Sequence, residues 1–258
     1  MDIVYRLGSA WVRWRNSAAN IEPGWPVCNI QRFDRQLTEQ CMERRLRARG
    51  RPFQAVLIGD SRVRELFLYA APRLGAVHEV VRGADNCWER LNRTYAAGER
   101  RHGRDHWCSF ARRGRLANVT YLVRHHLDQR YLESVQTLVS QCRRGLCPDL
   151  VLLNGGLHEM WRHYGRQWAV GVRALAEQAA RLAPLLSWLA RRGVTVLWPL
   201  IDPPMEDAGG GLVRMTPELG WLMNAALVSE LGRLPGLRLC ISVTVGPIGT
   251  GNTVSCRL

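Results

Sequence analysis

The stretch Val56-Leu57-Ile58-Gly59-Asp60-Ser61-Arg62-Val63-Arg64 decides how the rest of the chain is read. Phe53 to Ile58 is a short apolar run of the kind that forms a buried strand. Gly59 permits a tight turn. Ser61 to about Tyr69 then places Val63, Leu66, Phe67 and Ala70 on one helical face, with Pro72 near the end. A strand that turns through Gly-Asp-Ser into a helix sets Ser61 at a helix N-terminus. There its hydroxyl leaves the sheet and the unpaired N–H groups face an oxyanion. The same residues also serve as an ordinary helix cap, Asp60-Ser61 being favourable types for it.

Outward from this point, strand and helix signals alternate. His78 to Val81 reads as a weak strand, Asn118 to Val123 as a strand, Leu127 to Cys142 as a helix, and Asp149 to Asn154 as a second buried strand. Val172, Leu175, Ala179, Leu182, Leu186 and Leu189 form an apolar stripe. Pro184 within it should kink or divide the helix. Val194 to Trp198 and Leu237 to Val243 are further strands, with a helix beginning at Thr216 between them. The alternation predicts a three-layer α/β/α domain over 53–245, its sheet mostly parallel. The site should lie at the carboxyl ends of the strands. Residues 1–52 show no long periodic segment and read as an arm packing on the domain, with Cys28 and Cys41 able to staple it. Residues 83–116 read as a long loop insertion, and 246–258 as a small, polar, irregular tail.

The formal charge of +14 invites a nucleic-acid partner. All 36 basic residues are Arg and they scatter over the whole chain, which fits coding bias better than a phosphate-binding patch. Eight cysteines and the sequons Asn92-Arg93-Thr94 and Asn118-Val119-Thr120 favour an oxidising lumen over the cytoplasm. No apolar run approaches the roughly 18 residues of a spanning helix. The start, Met1-Asp2-Ile3-Val4-Tyr5-Arg6, lacks a leader's basic and apolar regions, so a luminal role requires that a longer chain deliver the domain. Cys87, His102, His106 and Cys108 have weak zinc-site spacing without Cys-x-x-Cys; a Cys87–Cys108 disulfide is the better reading, and no metal is expected. His125-His126 reads as structural.

The block Val56 to Phe67 resembles the first motif of the PC-esterase family, within the GDSL/SGNH acyl-esterase superfamily. That block is especially similar to the sialate O-acetyltransferase branch, as is Trp198-Pro199-Leu200-Ile201-Asp202-Pro203; Trp25-Pro26-Val27-Cys28 and Arg32-Phe33-Asp34, with Cys41 before the strand, look like the approach to it in the family. Pro148 to Asn154 and Arg162-His163-Tyr164-Gly165 are similar to the PC-esterase domain-containing proteins. The resemblance covers roughly residues 25 to 243. It implies an SGNH/flavodoxin-like fold with Ser61 as nucleophile and Asp60 as the acid that shapes its turn. Arg64 and Asn154 become substrate-binding residues, and His158 and Gly83 oxyanion-hole donors. The implied activity is transfer or hydrolysis of O-acyl groups on an acidic or acylated glycan in the Golgi or another secretory lumen. No bound cofactor is implied; acetyl-CoA would be the acyl donor for a transferase.

The superfamily draws its base from an Asp-x-x-His near the carboxyl end, and this sequence has none; its last histidine is His163. Without an aligned base a serine hydroxyl is a poor nucleophile. The expectation is therefore impaired catalysis, from a chain that is either incomplete or altered in this respect. A non-catalytic glycan-binding or scaffold domain is the alternative.

Overall fold

The computed structural model describes residues 3–7, 10–14, 35–82, 109–162, 168–201, 217–243 and 253–256. Two compact units divide at Arg32/Phe33. In the first, β1 (Ile3–Leu7) and β2 (Ala10–Trp14) form an antiparallel hairpin with Ile3 opposite Trp14. The expected arm thus contains regular structure.

The second unit is a mixed α/β domain. Its elements are α1 (Arg35–Arg49), β3 (Phe53–Gly59), α2 (Ser61–Arg73), β4 (His78–Arg82), β5 (Ser109–Arg113), β6 (Ala117–Val123), α3 (Gln129–Arg143), β7 (Leu150–Leu153), α4 (Leu157–Arg162), α5 (Trp168–Arg191), β8 (Thr195–Pro199), α6 (Pro217–Leu231), β9 (Leu237–Val243) and β10 (Thr253–Cys256). The sheet has eight strands in the order β10-β9-β8-β7-β3-β6-β5-β4. β9, β8, β7, β3 and β6 are parallel, and β5 and β10 run antiparallel to their neighbours. Numbered along the chain, the parallel strands stand in the order 2-1-3-4-5. The direction of winding reverses between β3 and β7, which is where such sheets open a crevice.

The layers follow from the burial pattern. On β6, Ala117, Val119, Tyr121 and Val123 are buried and pack with Val63, Phe67 and Ala71 of α2. On the other face α3, α5 and α6 close over Ile58, Val151, Leu153, Val196 and Trp198. Leu175, Ala179, Leu182, Leu186 and Leu189 of α5 are all buried, as the stripe requires. Pro184 does not divide this helix. It lies on the exposed side, where a carbonyl freed from the ladder can meet water.

Three segments depart from expectation. α1 occupies a stretch with no clear period, and among its residues from Gln36 onward none is buried. The end of the expected 83–116 loop is strand β5, anchored by Phe110, which is 2% exposed and stacks 6.0 Å from Tyr121. The tail includes β10, which pairs with β9 so that Thr253 meets Val243 and Cys256 meets Cys240. Thr-Val-Ser-Cys has the β-branched content to extend an open edge. The sequon residue Asn118 sits inside β6, in register with Gln54 on one side and Arg113 on the other. The second sequon, at Asn92, lies outside the described residues. Cys142 and Cys147 are disulfide-bonded and Cys41 is exposed with a free thiol; Cys28, its expected partner, lies outside the described residues.

Asp149 ties the amino-terminal ends of these strands together. Its carboxylate accepts the Gln54 N–H at 2.8 Å and both Arg51 terminal nitrogens at 3.0 and 2.9 Å, and also pairs with Arg45. Its carbonyl accepts the Thr195 N–H at 2.9 Å. The carboxylate is largely enclosed, so its loss strands charged and backbone donors together. Asp149→Ala should lower unfolding free energy by about 2–4 kcal/mol in a denaturant titration.

Candidate active site

The turn after β3 is built from both sides of the crevice. Asp60 caps α2: its φ of −88° and ψ of −159° are extended, and Oδ1 accepts the Arg62 N–H at 2.9 Å. Asn154, one residue beyond β7, faces it. Asn154 Nδ2 donates to Asp60 Oδ1 at 3.1 Å, and the Asp60 N–H donates to Asn154 Oδ1 at 3.3 Å. Two buried tyrosines hold the carbonyls of this turn pair. Tyr121 donates its hydroxyl hydrogen to Asp60 O at 2.9 Å, and Tyr131 donates to Asn154 O at 2.9 Å. Ser61 therefore begins α2, partly exposed, on a turn whose hydrogen bonds run to both neighbouring strands.

Asp60 is 1% exposed, and its Oδ2 has no hydrogen-bond partner among the described residues. Burial raises the Tyr131 hydroxyl well above the usual tyrosine value; the negative charges of Asp60 and Glu159 act in the same direction. Tyr131 thus remains a donor. A tyrosine raised in the folded state stabilises fully below its unfolded value of about 10. That contribution is lost as pH rises from there through the folded value, because the unfolded chain releases the proton first. Stability should fall above about pH 10, and Tyr131→Phe should flatten that fall. The check is denaturant unfolding of both proteins at a series of alkaline pH values.

Asn154 turns its amide onto Asp60, so the structure uses it to position the turn. Arg64 stands one helical turn beyond Ser61 on the same face, with Nη2 3.6 Å from Glu65 Oε1. His158 is the second residue of α4, at the end of β7 adjoining β3. Its ring centroid is 4.7 Å from that of His125 and 5.6 Å from that of His126. The fourth member of this corner is Glu159, which is 6% exposed. Its Oε1 accepts the Leu127 N–H at 2.7 Å and its Oε2 accepts the Gly156 N–H at 3.0 Å. His126 Nδ1 is 3.5 Å from Oε1. The Gly156 N–H is thereby already engaged. Gly156 itself has φ +113°, and a Cβ there would meet Ile201 Cδ1 at 2.5 Å.

His125, His126 and Glu159 carry no role in the sequence reading. The available signal was a His-His pair directly after one strand end and a His-Glu pair after another, which only the strand order brings together. Among the described residues no three His, Cys, Asp or Glu side chains could hold a metal ion. Gly83, the Cys87, His102, His106 and Cys108 group, and Asp202 lie outside the described residues.

A separate groove of about 540 Å³ opens on the sheet face away from α2. Arg112, Arg113 and Arg124 line it with Asn118, Thr120 and Ser134. Arg124 donates to Ser134 Oγ at 3.0 Å, and burial lowers its guanidinium below the usual arginine value. No residue of the Gly59-Asp60-Ser61 turn lines this groove.

Among the described residues no helix is long and apolar enough to cross a membrane. Compared with protein families and with curated proteins, the chain matches no family model and no curated sequence.

Proposed function

We propose that this chain is an SGNH-like serine acyl-ester enzyme that transfers or hydrolyses O-acyl groups, its substrate an acylated or acidic glycan in a secretory lumen such as the Golgi. The observation that supports it is the Asp60–Asn154 pair at the reversal of sheet winding, which fixes Ser61 at the mouth of the crevice. Ser61 Oγ attacks the acyl carbon, and the oxyanion that forms is met by the N-terminal end of α2 and by His158 across the crevice. Water completes hydrolysis; a sugar hydroxyl completes transfer, with acetyl-CoA as the donor of an acetyl group. The Cys142–Cys147 disulfide agrees with an oxidising compartment.

The groove lined by Arg113 and Arg124 favours a second reading, a non-catalytic glycan-binding domain. Reaction with a fluorophosphonate probe separates the two. Labelling at Ser61, lost in Ser61→Ala, is the expected result. Equal labelling of the variant, or a folded protein that takes no label, would overturn the enzyme reading.

A further inference from the structure

We propose that His125 is the general base for Ser61, a role the superfamily fills from an Asp-x-x-His that this sequence lacks. The proposal rests on the reading of Ser61 as nucleophile. β3 and β6 are parallel with Gly59 opposite Val123, and the ladder continues one step further, the Arg124 N–H donating to Gly59 O at 2.8 Å. The next residue on each chain beyond that step, His125 on one and the Asp60-Ser61 turn on the other, leave the sheet side by side.

Alternation sets the direction. Val119, Tyr121 and Val123 face α2, whereas Thr120, Leu122 and Arg124 line the groove on the opposite face. His125 follows Val123 by two residues, just past the end of β6, and α2 is the helix that Ser61 opens. Its ring is held against His158 at 4.7 Å, and His158 is flanked in turn by His126 at 5.6 Å. Glu159, anchored by two backbone N–H groups, places a buried carboxylate at the far end of this set. An imidazole on the strand end next to the Ser61 turn and a negative charge within the same cluster are what a transient imidazolium requires.

In the step itself Ser61 Oγ forms its bond to the acyl carbon as the hydroxyl proton passes to His125. The carbonyl π electrons move to oxygen. Collapse breaks the ester C–O bond, and the departing alkoxide takes the proton from His125 to leave as the alcohol. Water or an acceptor hydroxyl then attacks the acyl-serine, His125 again accepting its proton, and Ser61 recovers a proton as it departs.

Two measurements on the purified 258-residue chain test this. In p-nitrophenyl acetate hydrolysis, His125→Ala should lower kcat about 100- to 10,000-fold with KM little changed, and added imidazole should restore part of the rate. His125→Gln, closer in size, guards against a folding failure. Imidazole ¹⁵N spectra supply a readout free of turnover: Ser61→Ala should shift the His125 ring nitrogens more than those of His126. His125→Gln with near-parent kcat, or a His125 spectrum indifferent to Ser61→Ala, would overturn the assignment. A Ser61-dependent His125 shift in a protein without turnover would keep the contact and refute the enzyme reading instead.

Discussion

Glu159→Ala is expected to cost about 3–5 kcal/mol of folding stability. The carboxylate is 6% exposed and accepts two backbone N–H groups, those of Leu127 and Gly156. Truncation leaves both donors buried without an acceptor, at about 1–3 kcal/mol each, and opens a cavity where the side chain lay. The two donors belong to different connections. Leu127 lies between β6 and α3, and Gly156 between β7 and α4, so one side chain sets the spacing of the loop that carries His125 and His126 and the loop that leads into His158. Glu159→Gln keeps one acceptor oxygen but turns an NH₂ toward the other N–H. It should cost less than alanine and more than a surface substitution. Denaturant unfolding of the three proteins measures the order. A loss below about 1 kcal/mol for Glu159→Ala would mean that water replaces the carboxylate at both N–H groups.

What the sequence revealed and what it hid divide along physical lines. β3, β6, β7 and β8 carry enough buried apolar residues to stand out, and α5 repeats its stripe over its whole length. Hence the mixed α/β class and the mostly parallel sheet were legible, as was the placement of Ser61 at a strand-to-helix turn. α1 was not, because its described residues bury no stripe among the arginines. β5 was hidden for the same reason: Phe110 is its one buried residue, followed by Ala-Arg-Arg. β10 is an edge strand of four residues, whose partner is distant enough that no local pattern announces it.

The site shows a similar split. Gly-Asp-Ser is local, so its cap could be read from spacing. The pairing of Asp60 with Asn154 and the gathering of His125 and His126 at His158 depend on β3 lying between β6 and β7. Strand order is set by non-local packing, and no spacing along the chain encodes it. Asn154 was accordingly expected to meet substrate, whereas its amide is turned onto the neighbouring turn.

Gly59→Ala is expected to be as damaging as the loss of Glu159, about 3–5 kcal/mol, for the opposite reason. A Cβ at Gly59 would lie 2.3 Å from Asn154 Oδ1 and 2.6 Å from Val63 Cγ2, both far inside contact distance. Neither neighbour yields freely. Val63 is fully buried, and Asn154 Oδ1 accepts the Asp60 N–H. The added methyl must therefore force the strands apart, at about 1–3 kcal/mol for overpacking, or expel the Asn154 amide. Expulsion breaks the bonds to Asp60 and leaves Oδ1 of that buried carboxylate with one donor fewer. The cost is steric, since the requirement for glycine here comes from close approach rather than from a left-handed backbone. A double-mutant cycle isolates it. Asn154→Ala alone loses the hydrogen bonds, but in the Gly59→Ala background it also removes the nearest clash. The double variant should thus be more stable than the sum of the single losses predicts, by about 1–3 kcal/mol. Simple additivity in denaturant unfolding, or a Gly59→Ala protein within about 1 kcal/mol of the parent, would show that the crevice between β3 and β7 is looser than this geometry requires.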